Sequence, residues 1–169
     1  KYDYPVLEVY DPAIPAASLE AKIELAREVE RVARLSDSRI SIVERAGYED
    51  GEFTSVIMNT NGVYASGRGN FCGIYIFLVG EENGDAQNGF SVMMRKNYKD
   101  LDAGFTGREA ADNALRALHA RTINSAHLPC VMEPYVVTRF LSLLAQMVDA
   151  GMVQKGKSLF AGKLEQAVA

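Results

Sequence analysis

Histidine and cysteine are scarce in this 169-residue sequence, with two of each. A zinc site in a protein usually needs three or four His, Cys or carboxylate ligands at close spacing. His119 and His127 supply no such cluster, and no Ser/His/Asp triad can be assigned around them. The sequence therefore predicts no metal and no cofactor in this chain. The apolar neighbours of Cys72 and Cys130 predict two small buried side chains, with a disulfide as the alternative.

Long hydrophobic runs and an excess of basic residues are also lacking. The longest apolar stretches, such as CGIYIFLVG, are too short to cross a bilayer as a helix, and no signal-peptide pattern opens the sequence. We therefore expect no membrane association and a cytoplasmic location. The net charge of −4 and the pI of about 5.3 argue against a general nucleic-acid binder, which usually carries a basic patch.

The first half of the sequence predicts a helix followed by a sheet. Residues 18–35 carry apolar side chains at three- and four-residue steps, and Ser18 can cap the helix that they form. From about residue 38 to 98, β-branched or alternating stretches separated by Gly turns predict an antiparallel sheet of four or five strands. Asn83-Gly84 is a strong hairpin signal within it. Both faces of the stretch 74–79 are apolar, so we expect this strand to be covered on both sides.

The second half predicts two helices around a short strand. Thr106 and Glu109 form a capping box, which predicts a helix near 108–121. LPCVMEP predicts a short buried strand, and a third helix is expected near 135–150, with Gly151 ending it. We expect its apolar stripe to lie in the core, a stripe formed by Val137, Phe140, Leu141, Leu144, Met147 and Val148. Helix, strands, helix, strand, helix is the order of an α+β fold.

Three short motifs favour structural roles over chemical ones. GRGN at 67–70 suggests phosphate binding, but no helix start follows it, so a hairpin turn is favoured. GKSLFAGK at 156–163 lacks the spacing of a phosphate-binding loop. Asp100 and Asp102 could act as paired acids, yet they precede a helix, where acids commonly serve capping and solvation.

Five stretches together resemble one family, the TldD/PmbA proteins, also known as modulators of DNA gyrase and peptide maturation proteins. They occur in the family's order and cover most of residues 22–168: ELAREVERVARLSDSRI, MNTNGVYAS, DLDAGFTGREAADNALRALHARTI, PCVMEPYVVTRFLSLL and GKSLFAGKL. The family's members are considerably longer, and the chain begins with Lys1 instead of Met. We therefore expect residues 1–169 to form a single domain or the central fragment of a longer PmbA/TldE-like chain.

The resemblance implies a place among zinc metalloproteases that work as a pair of related subunits. The TldD-type subunit carries H-E-x-x-x-H on the helix after the short strand, where it binds zinc and the glutamate handles the water proton. The first His, the Glu and the last His of that motif map here to Ser142, Leu143 and Met147. The chain therefore resembles the PmbA/TldE branch, which lacks the motif.

The function implied by this resemblance is that of a non-catalytic subunit in peptide maturation or degradation. It implies no catalytic residue in this chain, zinc in a TldD-type partner, and a peptide substrate. It also implies no direct contact with nucleic acid. Whether the isolated chain forms a homodimer is left open. Two other functions remain as alternatives. One is a binding module that modulates DNA gyrase or another partner without peptidase activity, and the other is an independent hydrolase that uses Cys72 or Cys130.

Overall fold

The computed structural model describes residues 9–167 and divides the chain into two compact units, Lys1–Arg121 and Thr122–Ala169. Unit 2 holds two helices, α4 (Pro134–Val148) and α5 (Ala150–Gln154). None of the helices in residues 9–167 has the length and hydrophobicity that a membrane span requires. The elements of unit 1, in chain order, are α1 (Ala13–Ala16), α2 (Leu19–Ser36), β1 (Ile40–Met58), β2 (Tyr64–Glu82), β3 (Asp85–Arg95), a short 3-10 helix (Tyr98–Asp100) and α3 (Ala103–Ala117).

The three strands form one antiparallel sheet in the order β1-β2-β3, and α2 and α3 pack against it. This arrangement confirms the predicted α+β class. The expected four or five strands are wrong, because β1 and β2 each run for 19 residues through glycines that had suggested turns. Glycine makes room for a ring at these positions. A Cβ on Gly51 would lie 2.7 Å from Cζ of Phe71, and one on Gly69 would lie 2.6 Å from Cζ of Phe53.

The two hairpin turns differ in how well the sequence predicts them. Asn83 and Gly84 have φ of 52° and 84°, as a tight turn between β2 and β3 requires, which confirms the Asn-Gly signal. The turn predicted at GRGN is wrong, since residues 67–70 lie inside β2. The β1–β2 turn lies instead at 59–63, where the Asn59 side chain accepts hydrogen bonds from the backbone N–H groups of Asn61 and Val63.

The core of unit 1 lies between the two helices and one face of the sheet. Ser18 accepts a hydrogen bond from the backbone N–H of Ala21, at 3.2 Å, so the predicted cap of α2 is confirmed. Small side chains on α3 bring that helix close to the strands. The buried core residues of the cluster are Val29, Ala33, Ile40, Ile74, Ile76, Leu78, Met93, Ala103, Ala110, Ala111 and Ala114.

Helix α3 begins five residues earlier than the sequence predicts. Its cap is Asp102, whose carboxylate accepts from the N–H of Phe105 at 2.7 Å. The predicted capping box is therefore wrong. Thr106 is buried and donates to the Asp102 carbonyl, while Glu109 accepts a hydrogen bond from Ser91 on β3. Within α3, Thr106 therefore packs in the core, and Glu109 links the helix to the sheet.

The sheet has a second face, which we call the open face; it carries Tyr75, Phe77 and Val79. Ile74, Ile76 and Leu78 point to the helices and are at most 1% exposed, whereas the open-face side chains of β2 are only half-buried. The two helices that pack most extensively on the sheet, α2 and α3, lie on the core side. The expectation that this strand is covered on both sides is therefore wrong for the described residues of unit 1.

In unit 2, residues 128–134 form no strand and are exposed, so the predicted buried strand is wrong. The third helix is α4, but Asp149 ends it and also caps α5, which contains Gly151. The predicted core stripe is wrong as well: α4 has no buried residue, and Leu144 is 45% exposed. Unit 2 as described has two helices and no sheet, so it offers no second layer to cover this stripe.

The burial pattern predicts that an isoleucine on the core face of the sheet contributes more to stability than one near the hairpin tip. Ile76 is fully buried, so Ile76→Ala should lower the free energy of unfolding by about 2–5 kcal/mol. Ile57 is 67% exposed and gives the matched control, for which we expect a change within about 0.5 kcal/mol. Urea denaturation of the two variants measures both values. Equal losses would contradict the assignment of the core face.

Candidate functional site

Helix α4 carries Ser142, Leu143 and Met147, the three residues at which the family resemblance leads us to expect the degenerate metal motif. The hydroxyl of Ser142 donates a hydrogen bond to the backbone carbonyl of Thr138, at 2.7 Å. Leu143 is 52% exposed, and Met147 lies one turn further along the helix and is half-buried. Leucine offers no ligand atom, and serine and methionine offer only a neutral hydroxyl and a thioether. These are not the imidazole and carboxylate ligands that zinc proteases use.

Other candidate ligands are dispersed. His127 and Cys130 lie in the irregular, exposed segment after α3. In residues 9–167, no group of three or more His, Cys, Asp or Glu residues is arranged to hold a metal ion.

The cysteines and the paired acids take structural or isolated positions. Cys72 is buried, as predicted, and burial raises the pKa of its thiol, which makes it a poor nucleophile. Cys130 is exposed, so its predicted burial is wrong, because the strand expected around it is absent. Both cysteines are free thiols. Asp102 caps α3, and Asp100 accepts a hydrogen bond from Asn97, so each carboxylate has a local structural partner.

His119 takes part in a polar cluster that ties the end of α3 to the β2–β3 turn. Its ring Nε2 lies 2.6 Å from Oε2 of Glu82, and its backbone N–H donates to Asp85. These hydrogen bonds are the main reason that the pKa values of both carboxyl groups are lowered. Arg39 reaches Glu82 at 3.3 Å and forms a tighter pair with Asp37. We call this group of side chains the charged cluster; it lies at one end of the sheet.

A shallow groove of about 490 Å³ lies between α2 and β1. Lys22 and the Tyr48 hydroxyl both donate to Oδ2 of Asp50. Burial, and then the hydrogen bond to Asp50, raises the pKa of Tyr48, while the hydrogen bond from Lys22 lowers the pKa of Asp50. Tyr48 therefore stays a neutral donor and Asp50 a charged acceptor, so the trio fixes α2 on the sheet and supplies no general base near neutral pH.

Sequence reasoning missed this trio and also missed the open face. The signal for Lys22 was its place beside the apolar stripe of α2, between Leu19 and Ile23, where a long side chain can reach the sheet. Tyr48 and Asp50 stand two residues apart in a strand and so share one face. The expectation of Gly turns between the stretches of residues 38–98 hid that pattern, because Gly51 follows Asp50 directly.

Two family profiles match the chain, one in each of its two units. The family profile described as PmbA/TldA metallopeptidase central domain matches residues 12–118, and the one described as PmbA/TldA metallopeptidase C-terminal domain matches residues 125–169. Metalloprotease PmbA of Escherichia coli O157:H7 is 26% identical over 163 residues, which are 94% of this chain and 35% of that protein. The chain thus spans about a third of the length of this curated relative.

Solved structures share the fold. A proposed modulator of a DNA gyrase from Thermotoga maritima MSB8 is 22% identical with a TM-score of 0.88, over 98% of this chain and 38% of that one. A proposed modulator of DNA gyrase from Bacteroides thetaiotaomicron VPI-5482 is 24% identical with a TM-score of 0.87, over 100% and 39%. TldE from Thermococcus kodakarensis is 18% identical with a TM-score of 0.79, over 96% and 37%.

Together the fold and the two profile matches define a segment of a metallopeptidase-family protein, an antiparallel α+β unit followed by a helical one. The chain belongs to the PmbA/TldA metallopeptidase family, which is the TldD/PmbA family that the sequence resembles.

The charged cluster predicts how the free energy of unfolding falls in acid. Hydrogen bonds from Arg39 lower the pKa of Asp37 from 3.8 to about 2. A carboxyl with a lowered folded-state pKa stabilises the fold above its unfolded pKa, and that contribution is lost as pH falls through the folded pKa. We therefore expect the free energy of unfolding to fall between about pH 4 and pH 2, and to fall less steeply in Asp37→Asn.

The control for this experiment is Glu81→Gln, which removes one exposed carboxylate from β2. Its acid profile should follow that of the unaltered protein, measured by urea denaturation at each pH. An Asp37→Asn profile as steep as that of the control would contradict the role given to the Asp37–Arg39 pair.

Proposed function

We propose that this chain is part of a non-catalytic, PmbA/TldE-type subunit of a zinc metalloprotease complex that matures or degrades peptides in the cytoplasm. The observation that supports the proposal is the chemistry of α4, whose residues Ser142, Leu143 and Met147 offer no imidazole or carboxylate where the family resemblance maps the metal motif. No histidine follows His127 up to residue 169. Membership of the metallopeptidase family and the fold shared with TldE of Thermococcus kodakarensis support the assignment to this branch.

The zinc in this proposal belongs to a TldD-type partner subunit. A catalytic zinc of the protease type needs three protein ligands and an open position for water. The hydrogen bond from Ser142 to Thr138 and the apolar side chains of Leu143 and Met147 offer no replacement for those ligands. This chain would therefore contribute binding and assembly, while its partner polarises the peptide carbonyl and activates the water.

Peptide binding would use the sheet of unit 1. β1 is an edge strand, and an edge strand can pair with an extended peptide through its backbone N–H and C=O groups. The β1–β2 hairpin also extends past β3, whose last partner on β2 is Cys72. Apolar side chains near its tip are exposed, Ile57 at 67% and Tyr64 at 63%. An unfolded peptide with apolar side chains fits such a surface.

The test uses the full-length protein, alone and together with its TldD-type subunit. We expect zinc, measured by inductively coupled plasma mass spectrometry, only in samples that contain the TldD-type subunit, and peptidase activity on an unfolded peptide only in those samples. Ser142→Ala and Leu143→Ala in this chain should leave zinc content and turnover unchanged. Replacing the motif glutamate of the TldD-type subunit by glutamine should abolish turnover.

Stoichiometric zinc in the protein purified alone would contradict the proposal, as would peptidase activity that Cys130→Ser or His119→Ala removes. The alternative, a binding module that modulates DNA gyrase, draws support from the names of two similar structures. A DNA supercoiling assay with purified gyrase separates the two functions. A change in supercoiling without any effect on peptidase activity would favour the alternative.

A further inference from the structure

The groove between α2 and β1 lies beside the unpaired edge of the sheet. Its α2 side is largely apolar, since Leu19 is 67% exposed and Ile23, one turn further along the helix, is 43% exposed. Its β1 side is formed by Tyr48, Glu49 and Asp50. Exposed apolar side chains next to an unpaired strand edge indicate a surface that can receive an extended peptide.

The pairing of β1 with β2 determines which backbone groups face that edge. The N–H of Asn59 donates to the carbonyl of Val63 at 3.0 Å, and in an antiparallel ladder such bonded pairs alternate with non-bonded pairs. The register is unbroken from there to residue 45, so Glu49 belongs to a bonded pair. Tyr48 and Asp50 lie on either side of Glu49, so their backbone N–H and C=O groups point away from β2.

A second hydrogen bond supports this count. Asn70 pairs with Glu52, which the same alternation makes a non-bonded pair. The N–H of Asn70 should therefore point away from β1, and it donates to the carbonyl of Val9 at 3.1 Å on that other side.

A peptide paired with the edge of β1 would direct alternate side chains into the groove. Residues opposite each other in neighbouring strands place their side chains on the same face. The peptide residues opposite Tyr48 and Asp50 would therefore point toward α2, and the residue between them would point to the other face. Neighbouring strands lie about 4.8 Å apart, so both inward side chains would reach the groove.

Asp50 gives the groove a preference for positive charge. Lys22 and Tyr48 both donate to its Oδ2, whereas its Oδ1 accepts no hydrogen bond from residues 9–167. The hydrogen bond from Lys22 lowers the pKa of Asp50, so the carboxylate stays charged. Glu49 adds a second carboxylate to the lining, against the single ammonium of Lys22. A basic side chain therefore fits beside Asp50, and phosphates are disfavoured.

We propose that this groove selects extended peptides in which a basic residue stands two positions before a large apolar residue. The peptide pairs antiparallel with β1, as the strands of this sheet do. Its apolar side chain lies opposite Tyr48 and contacts Ile23, and its basic side chain lies opposite Asp50. The inference rests on the proposed function, in which the chain binds a peptide, and it names the class of peptide that is bound.

The test measures binding of short fluorescent peptides to the full-length protein without its TldD-type subunit, by fluorescence anisotropy. The probe carries Lys-Thr-Leu between serine and threonine residues. Glutamate in place of its lysine should weaken binding by about tenfold or more, and serine in place of its leucine by about fivefold or more. A peptide of the same composition with the order Leu-Thr-Lys should also bind about fivefold more weakly, because one composition allows only one order to match both positions.

Two variants connect this selectivity to the groove. Asp50→Asn keeps an oxygen that can accept from Lys22 and Tyr48 but removes the charge, so it should abolish the preference for lysine over glutamate. Ile23→Ala should reduce the preference for leucine over serine by about threefold or more and keep the preference for lysine. Leu35→Ala is the matched control, since Leu35 is 72% exposed in the last turn of α2, and it should change neither preference.

Backbone pairing is tested by N-methylation of the peptide. In an antiparallel pair with Tyr48, the N–H of the peptide leucine points to β1, and the N–H of the threonine before it points away. Methylating the leucine nitrogen should weaken binding by about fivefold or more, whereas methylating the threonine nitrogen should change it by less than about twofold.

This inference and the proposed function fail in different measurements. No binding of the Lys-Thr-Leu peptide at about 0.5 mM protein would overturn the inference. Equal affinity for the two peptide orders, or unchanged selectivity in both Asp50→Asn and Ile23→Ala, would also overturn it. Each of these results is compatible with zinc-dependent turnover by the complex. Selective peptide binding in a complex that shows no turnover would contradict the proposed function alone.

Discussion

The close approach of α3 to β3 and α2 is the constraint on which the rest of unit 1 depends. A Cβ on Gly89 of β3 would overlap the carbonyl oxygen of Ala110, and a Cβ on Gly107 would lie 2.6 Å from the carbonyl oxygen of Val29. Ala110, Ala111 and Ala114 are fully buried. Backbone thus meets backbone on two sides of α3, and only glycine and alanine fit at these contacts. Removing that space would force helix, strand and α2 apart together.

This compact layer explains why the sheet has two different faces. The core side receives α2 and α3 and buries Ile74, Ile76 and Leu78. The other side keeps aromatic rings that rest on glycines of neighbouring strands, an arrangement that covers backbone without a further layer. Unit 1 therefore presents an apolar sheet face and an edge strand, β1.

Much of the fold could be predicted from local patterns because the responsible interactions are local. The Ser18 cap, the Asn83-Gly84 hairpin and the antiparallel helix-flanked sheet follow from neighbouring residues and their period. The errors arise where a residue serves a distant contact. Gly51 and Gly69 resemble turn residues but make room for rings across strands, and Thr106 resembles a cap but is buried inside α3.

The candidate site could be predicted less well than the fold from local sequence patterns. The residues at the motif positions, Ser142, Leu143 and Met147, came from the family resemblance, because no pattern within helix α4 points to lost metal ligands. The apolar stripe of α4 predicted burial, yet burial depends on a second layer that periodicity does not report. The Lys22–Tyr48–Asp50 trio and the open face depend on strand register, which only the three-dimensional pairing reveals.

The most direct measurement compares two glycine-to-alanine changes in neighbouring strands. Gly89 contacts α3, whereas a Cβ on Gly67 would meet nothing within 4 Å, and φ is not positive at either residue. If backbone contact with α3 organises unit 1, Gly89→Ala should lower the free energy of unfolding by about 1–3 kcal/mol, and Gly67→Ala should change it by less than about 0.5 kcal/mol. A Gly89→Ala protein as stable as the Gly67→Ala protein would contradict this account.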